Sequence, residues 1–249
     1  MQTLRATVSY CGTHYCGWQR QSAHIERKKA SVQGKLEAAV QQWFGEHVDV
    51  VGVSRTDAGT HALMNSCHFQ LPTARLAETT LSELKAQLNT LLHHTIRVQL
   101  LEPVGGLHKR RKAERKRYCY YVQQGPRRLM EHARSCWYIP KTLNVPMLEE
   151  AMSCLRGKHD LRCFTSGKAA QIPADSTRTI FEANISLHKA VDFSLSDHVR
   201  TPLAEQEEEE LRASAAGGKM PAAHTNCYFI CFSFTADGFL TVSGRQSSC

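Results

Sequence analysis

The stretch VGVSRTDAGTHAL, residues 51–63, holds an acid, an arginine two residues before it and a turn of small residues. Asp57, Gly59 and Thr60 are ordinary turn residues, so the plainest reading is a hairpin joining two strands. Two details point beyond a hairpin. Arg55 stands at the end of an apolar strand, where its charge is otherwise poorly placed. Gly59 and the small Ala58 flank the Asp57 carboxylate, which lets a bulky ligand approach the backbone closely. A second stretch with chemical content is HKRRKAERKR at 108–117, followed directly by YCYYV. A charge run is most often a solvated face. The aromatic sequel tips this one toward nucleic acid, because base recognition combines phosphate-binding cations with stacking rings.

The elements that position these residues follow from periodicity. Alternation from Leu4 to Tyr10 predicts a strand. After a polar, glycine-bearing loop, Ser31 caps a helix with Val32, Leu36, Ala39, Val40 and Phe44 at helical spacing. Strands are expected at 48–54 and 62–70. Thr80 with Glu83 has capping-box spacing and opens a second helix with Leu84, Leu88 and Leu91 on one face. Residues 95–103 close the set as a strand, giving the β-α-β-β-α-β order of a ferredoxin-like unit. The second half begins with a strand at Arg117–Val122 and a short one within 134–139. A helix at 147–156 follows, with Pro146 near its start, where a missing amide does no harm. Strands at 178–188 and 226–235 come next, separated by a polar, low-complexity insertion at about 189–225. The closing helix and strand needed to repeat the first half are absent, and the chain ends TVSGRQSSC.

Bulk properties narrow the class. The chain has 249 residues, of which 42% are hydrophobic, enough for one large domain or two small ones. Its formal charge of +8 favours a polyanionic partner. The ten cysteines read as intracellular thiols: the first residues lack the apolar core of a signal peptide, and no run of about 18 apolar residues could span a membrane. No Cys-x-x-Cys pair occurs, Cys11/Cys16 and Cys227/Cys231 are too isolated to supply four ligands, and His93-His94 lack helical metal-ligand spacing. No metal is expected.

Ser54-Arg55-Thr56-Asp57-Ala58-Gly59-Thr60-His61 resembles the signature of the TruA family of tRNA pseudouridine synthases, with serine in place of its first glycine. Other landmarks keep the family's order. Tyr10-Cys11-Gly12 and Gly17-Trp18-Gln19-Arg20-Gln21 are similar to its first loop, with Cys11 where an aspartate is usual. Ser31-Val32-Gln33, His68-Phe69 and Asn89-Thr90-Leu91 follow. His108, Arg110, Ala113, Arg117, Tyr118 and Tyr120 match the run leading to a tyrosine pair. His159-Asp160 and Ser176-x-Arg178-Thr179 come after that, and the resemblance resumes at FSFTADGFL, residues 232–240.

The resemblance implies isomerisation of uridine to pseudouridine in tRNA, typically in the anticodon arm, without a cofactor. The α+β fold expected is two ferredoxin-like halves, 1–104 and 105–249, forming an extended, mostly antiparallel sheet with helices on one face. The second half is incomplete at its C-terminus. Asp57 is then the catalytic carboxylate, as nucleophile or base. Arg55 fills the space left by a flipped base or holds a phosphate, Tyr118 stacks on the uracil, and His61 supports the loop. Arg110 and Lys116 contact phosphates. Trp18 either stacks on RNA or covers the core. Arg245 stands in the register of the family's arginine that pairs with the catalytic carboxylate, but the helix around it is replaced by TVSGRQSSC. That ending suggests a truncated, frameshifted or divergent C-terminus. It leaves an RNA-binding protein of the same fold with impaired catalysis as the alternative reading, and a ferredoxin-like assembly domain as a third. The resemblance also implies a homodimer. The address expected is cytoplasmic or nuclear, with a mitochondrial one as the alternative.

Overall fold

The computed structural model describes residues 1–105, 113–164, 176–189 and 228–238. The chain divides into two compact units, Met1–Ala113 and Glu114–Cys249. The first contains β1 (Gln2–Tyr10), α1 (Ala23–Lys28), α2 (Val32–Phe44), β2 (Val51–Gly52), β3 (Ala62–Leu71), α3 (Thr73–Ala77), α4 (Leu81–Leu91) and β4 (Ile96–Val104). Its sheet runs β2-β3-β1-β4, antiparallel throughout. In β1 the alternation expected from sequence sends Leu4, Ala6, Val8 and Tyr10 into the core. They meet Val32, Leu36, Ala39 and Val40 of α2 and Leu84 and Leu88 of α4. Both long helices are capped as expected. The Ser31 hydroxyl accepts from the Gly34 amide at 3.0 Å, and Thr80 and Glu83 form a reciprocal capping box. Hydrogen bonds from the Thr80 backbone and hydroxyl hold the Glu83 carboxyl below the usual carboxylate range. Leu91 departs from expectation: it is 36% exposed, and Leu92 is the buried residue. The helix stops at Leu91, and the extended backbone of Leu92 turns that side chain inward instead.

The second unit contains β5 (Lys116–Gln124), β6 (Trp137–Ile139), α5 (Val145–Cys154), β7 (Gly157–Asp160), β8 (Thr177–Lys189) and β9 (Tyr228–Ala236). These strands form a sheet in the order β6-β5-β9-β8-β7, antiparallel except for the β5–β6 pair. The Asn144 side chain caps α5 by accepting from the Met147 amide at 3.1 Å, and Pro146 lies in the first turn. Val145 packs with Val122, Leu187 and Ile230, and Met152 with Ile180, Ala183 and Ala236. The α+β class is therefore as expected, with two mostly antiparallel sheets. The β7 edge strand is an addition to the sequence reading, because GKHD has no apolar alternation to announce it. The insertion expected at about 189–225 lies, but for Lys189, outside the described residues, as does the TVSGRQSSC ending. Among the described residues no helix is long and apolar enough to cross a membrane.

Candidate active site

The loop bearing Asp57 begins earlier than the sequence suggests. A strand was expected over 48–54, but only Val51 and Gly52 pair with β3, opposite His68 and Cys67. The cause lies in α2. The backbone groups of Val50 go to side chains of that helix: its amide donates to Glu37 Oε1 at 3.3 Å and its carbonyl accepts from Gln33 Nε2 at 2.9 Å. Gln33 also donates to Glu37 at 2.9 Å, and Arg20 Nη1 reaches the other Glu37 oxygen at 2.8 Å. Glu37 is buried, so this pairing removes the penalty that an isolated buried carboxylate would carry.

After a last bond from the Val53 amide to the Ser66 carbonyl of β3, at 2.8 Å, the chain leaves the sheet and is held by the loop that follows β1. The Thr56 carbonyl accepts from the Trp18 amide at 3.0 Å, and the Tyr15 carbonyl accepts from the Gly59 amide at 3.4 Å. The Tyr10 hydroxyl lies 2.8 Å from Thr56 Oγ1. Asn65 Nδ2 donates both to that hydroxyl, at 3.1 Å, and to the Ser54 carbonyl, at 3.2 Å. Tyr10 and Asn65 are buried, so these bonds act where water cannot replace them. Asp57 itself opens a tight turn in which its carbonyl accepts from the Thr60 amide at 3.1 Å. Gly59 supplies the positive φ of 81° at the third position, as a type II turn needs.

The close approach of these two loops requires glycine. A Cβ on Gly12 would sit 2.0 Å from the Thr60 carbonyl oxygen. One on Gly17 would sit 2.8 Å from the Thr56 oxygen, at a φ of +116° that other residues rarely adopt. The glycines that matter for close backbone approach thus belong to the first loop, while Gly59 serves its own turn. Trp18 is buried, at 1% exposure, and covers the core; that resolves the choice left open by sequence.

The outcome is an acid on a fixed scaffold. Arg55, Asp57 and His61 all lie in this one loop with exposed side chains. Among the described residues, no hydrogen bond or ion pair engages the Asp57 carboxylate. Asp57 is exposed among the described residues, and its anchored backbone limits how far it can swing. In the second unit Lys116 opens β5 and Tyr118 follows two residues later, both partly buried and paired with Ala236 and Phe234 of β9. Arg117 between them is taken by Glu182, at 2.9 Å. Arg110 and Arg245 lie outside the described residues. Among the described residues no three histidine, cysteine or acidic side chains gather as a metal site would need.

Sequence reasoning gave no role to Tyr15, Asn65, Gln33 or Glu37. A signal for Asn65 existed: it occupies an inward position of β3, in step with Cys67, Phe69 and Leu71. A polar residue in such a place needs a partner. Gln33 and Glu37 are likewise polar residues four apart on the buried side of α2.

Known proteins match the segment that carries this loop. Residues 6–110, which include the whole Asp57 loop and its anchors, match the family model described as tRNA pseudouridine synthase. A tRNA pseudouridine synthase A of Treponema pallidum is 29% identical over 76% of this chain and 66% of its own length. The chain therefore spans about two thirds of that relative. Its namesake from a Thermoanaerobacter species is 32% identical over 78% of this chain and 74% of the relative. The one from Sinorhizobium fredii is 34% identical over 75% and 72%. At that identity and coverage, and with the loop intact, the chain belongs to the tRNA pseudouridine synthase A family of isomerases.

Proposed function

We propose that this chain isomerises uridine to pseudouridine in tRNA, in the anticodon arm, with the Asp57 carboxylate as nucleophile. The observation that carries the reading is the exposed carboxylate on a turn held from both sides by the β1 loop and by Asn65. The reaction breaks the bond between uracil N1 and the ribose and makes one from C5. The C5 proton is released as a proton returns to N1, so no atoms are gained or lost and no cofactor is needed. A carboxylate on a surface turn reaches a uridine only if the base leaves its stack, at a cost of a few kcal/mol. Arg55, exposed two residues away, fills the vacated space or holds a phosphate. His61 supports the turn from the start of β3. Tyr118 stacks on the uracil, and Lys116, Arg110 and Arg245 contact the RNA.

The test is tritium release from tRNA carrying 5-tritiated uridine, since forming the C5 bond expels that hydrogen. Wild-type chain should release tritium, and Asp57→Ala should lose at least about a thousandfold in rate, as removal of a nucleophile does, while still binding tRNA. Release by the variant at the wild-type rate would end the assignment. Binding without release by the wild type would favour the RNA-binding reading instead.

A further inference from the structure

One end of the first sheet gathers cations that the reading above does not use. At that end Tyr10 of β1 pairs with Ala62 of β3 and Ile96 of β4, so the Asp57 loop, the β1 loop and residues 92–95 meet there. His14, Lys29 and Lys35 are exposed on the β1 side, His93 and His94 are exposed after α4, and Arg97 is half-buried at the start of β4. The His93 and His94 rings lie 4.0 Å apart between centroids. Arg97 Nη1 donates to the carbonyls of His93, at 3.0 Å, and Ile96, at 2.8 Å, which fixes the backbone beneath the pair. Lys29 Nζ donates to the Thr13 carbonyl at 3.1 Å.

This cluster is coupled to the reactive turn by two residues. His93 Nδ1 lies 2.8 Å from Thr95 Oγ1, and the Tyr15 hydroxyl lies 2.6 Å from that same oxygen. The Cys11 amide donates to the Thr95 carbonyl at 2.9 Å, and the Tyr15 carbonyl receives the Gly59 amide. The groups acting electrostatically on His93 are, largest first, His94, His14, Lys35 and Arg97, and each disfavours its charged form. Partial desolvation and those four basic neighbours hold the His93 pKa below the usual histidine range. Bringing these basic groups together is unfavourable to the charged form of His93 in the free protein. A bound anion reverses the sign of that term. Cations drawn from several segments along one sheet end suit a chain of phosphates better than a single small anion.

We propose that His14, Lys35, His93 and His94 form a phosphate-contact patch for the RNA strand whose uridine enters the Asp57 turn, and that this patch tightens as its histidines protonate. The proposal rests on the tRNA reading and adds to it a contact surface and a pH dependence. A phosphate beside these rings raises their pKa, so by linkage RNA affinity rises as pH falls. Lys35 supplies the part that does not titrate.

The experiment uses the full chain, transcribed tRNA and a fourfold variant, His14→Gln, Lys35→Gln, His93→Gln and His94→Gln. Arg97 is retained because it holds backbone carbonyls. Wild type should bind about tenfold more tightly at pH 6.0 than at pH 7.5 at equal salt. The variant should lose most of that difference, bind about tenfold more weakly at pH 6.0 and show a salt slope shallower by about 2. Its folded state is checked by a melting curve, because the substitutions relieve repulsion but also remove the His93–Thr95 hydrogen bond. Unchanged affinity, slope and pH dependence in the variant, with tritium release by wild type intact, would overturn the patch alone. A wild type that neither binds tRNA nor releases tritium would remove the tRNA reading and the patch with it. Polyglutamate competing as well as tRNA would overturn the assignment to RNA.

Discussion

In the first unit a continuous apolar cluster runs from α2 and α4 through β1 and β3 to Trp18. In the second the described core falls into two patches, one around Val122, Val145, Leu187 and Ile230 and the other around Met152, Ile180, Ala183 and Ala236. The means of holding functional side chains differ in the same way. Asp57 is fixed through the main chain: two loops exchange backbone hydrogen bonds, glycines let them touch, and buried Tyr10 and Asn65 tie the ends. Tyr118 is held by the β5–β9 ladder, opposite Phe234, with a side chain only partly buried. The proposed nucleophile has the stiffer mount. Catalysis gains most from fixing reacting atoms, whereas a stacking ring tolerates small displacements because every base presents a flat face.

That contrast can be broken most severely at Gly12. Gly12→Ala places a methyl within the Thr60 carbonyl, and overpacking of this kind costs about 3 kcal/mol. Denaturant unfolding should show that loss, and tritium release should fall further than the population of folded chain explains. A variant as stable and active as wild type would mean that the two loops are not in close contact. A smaller effect is expected from Tyr10→Phe, which removes only the hydroxyl between Thr56 and Asn65. Stability should drop by about 1 kcal/mol, with a loss in kcat exceeding any change in KM. A change confined to KM would place the relay in binding instead of in positioning the acid.

The mildest probe compares one cysteine from each unit. Burial pushes the Cys67 thiol of the first core up to about 12. Cys119 of β5, exposed, is held below the usual thiol range chiefly by its hydrogen bond with Cys231. Iodoacetamide at neutral pH should label Cys119 in the native protein and leave Cys67 until unfolding, because the thiolate is the nucleophile. The sign for stability follows from the same shift. Between the ordinary thiol pKa and about 12 the unfolded chain loses the Cys67 proton and the folded chain keeps it, so this contribution to stability declines as pH rises through that window. Equal labelling of the two thiols would remove the distinction.

Much of the frame was legible beforehand. The alternation of β1, the Ser31 and Thr80 caps and the ferredoxin-like order of the first unit all rest on local rules that tertiary contacts did not override. The errors have local causes as well. The strand expected at 48–54 contracted because α2 side chains took the hydrogen bonds of Val50, which no periodicity records. Leu91 changed places with Leu92 because a helix end rotates the next side chain by its backbone conformation. The β7 strand went unseen since an edge of four polar residues carries no apolar pattern.

For the site, residue type and spacing singled out Arg55 and Asp57, and the family resemblance added His61; all three lie within one loop and need no long-range contact to be neighbours. Composition likewise carried the cationic balance. The folded chain alone decided that Gly12 and Gly17 meet the back of that turn, that Asn65 and Tyr10 brace it, and that His14, Lys35 and His94 come near enough to act on His93. Those residues are separated by tens of positions in the chain. Their proximity is set by the antiparallel register of β1 with β3 and β4, which follows from burying one face of the sheet and from no signal local to the residues themselves.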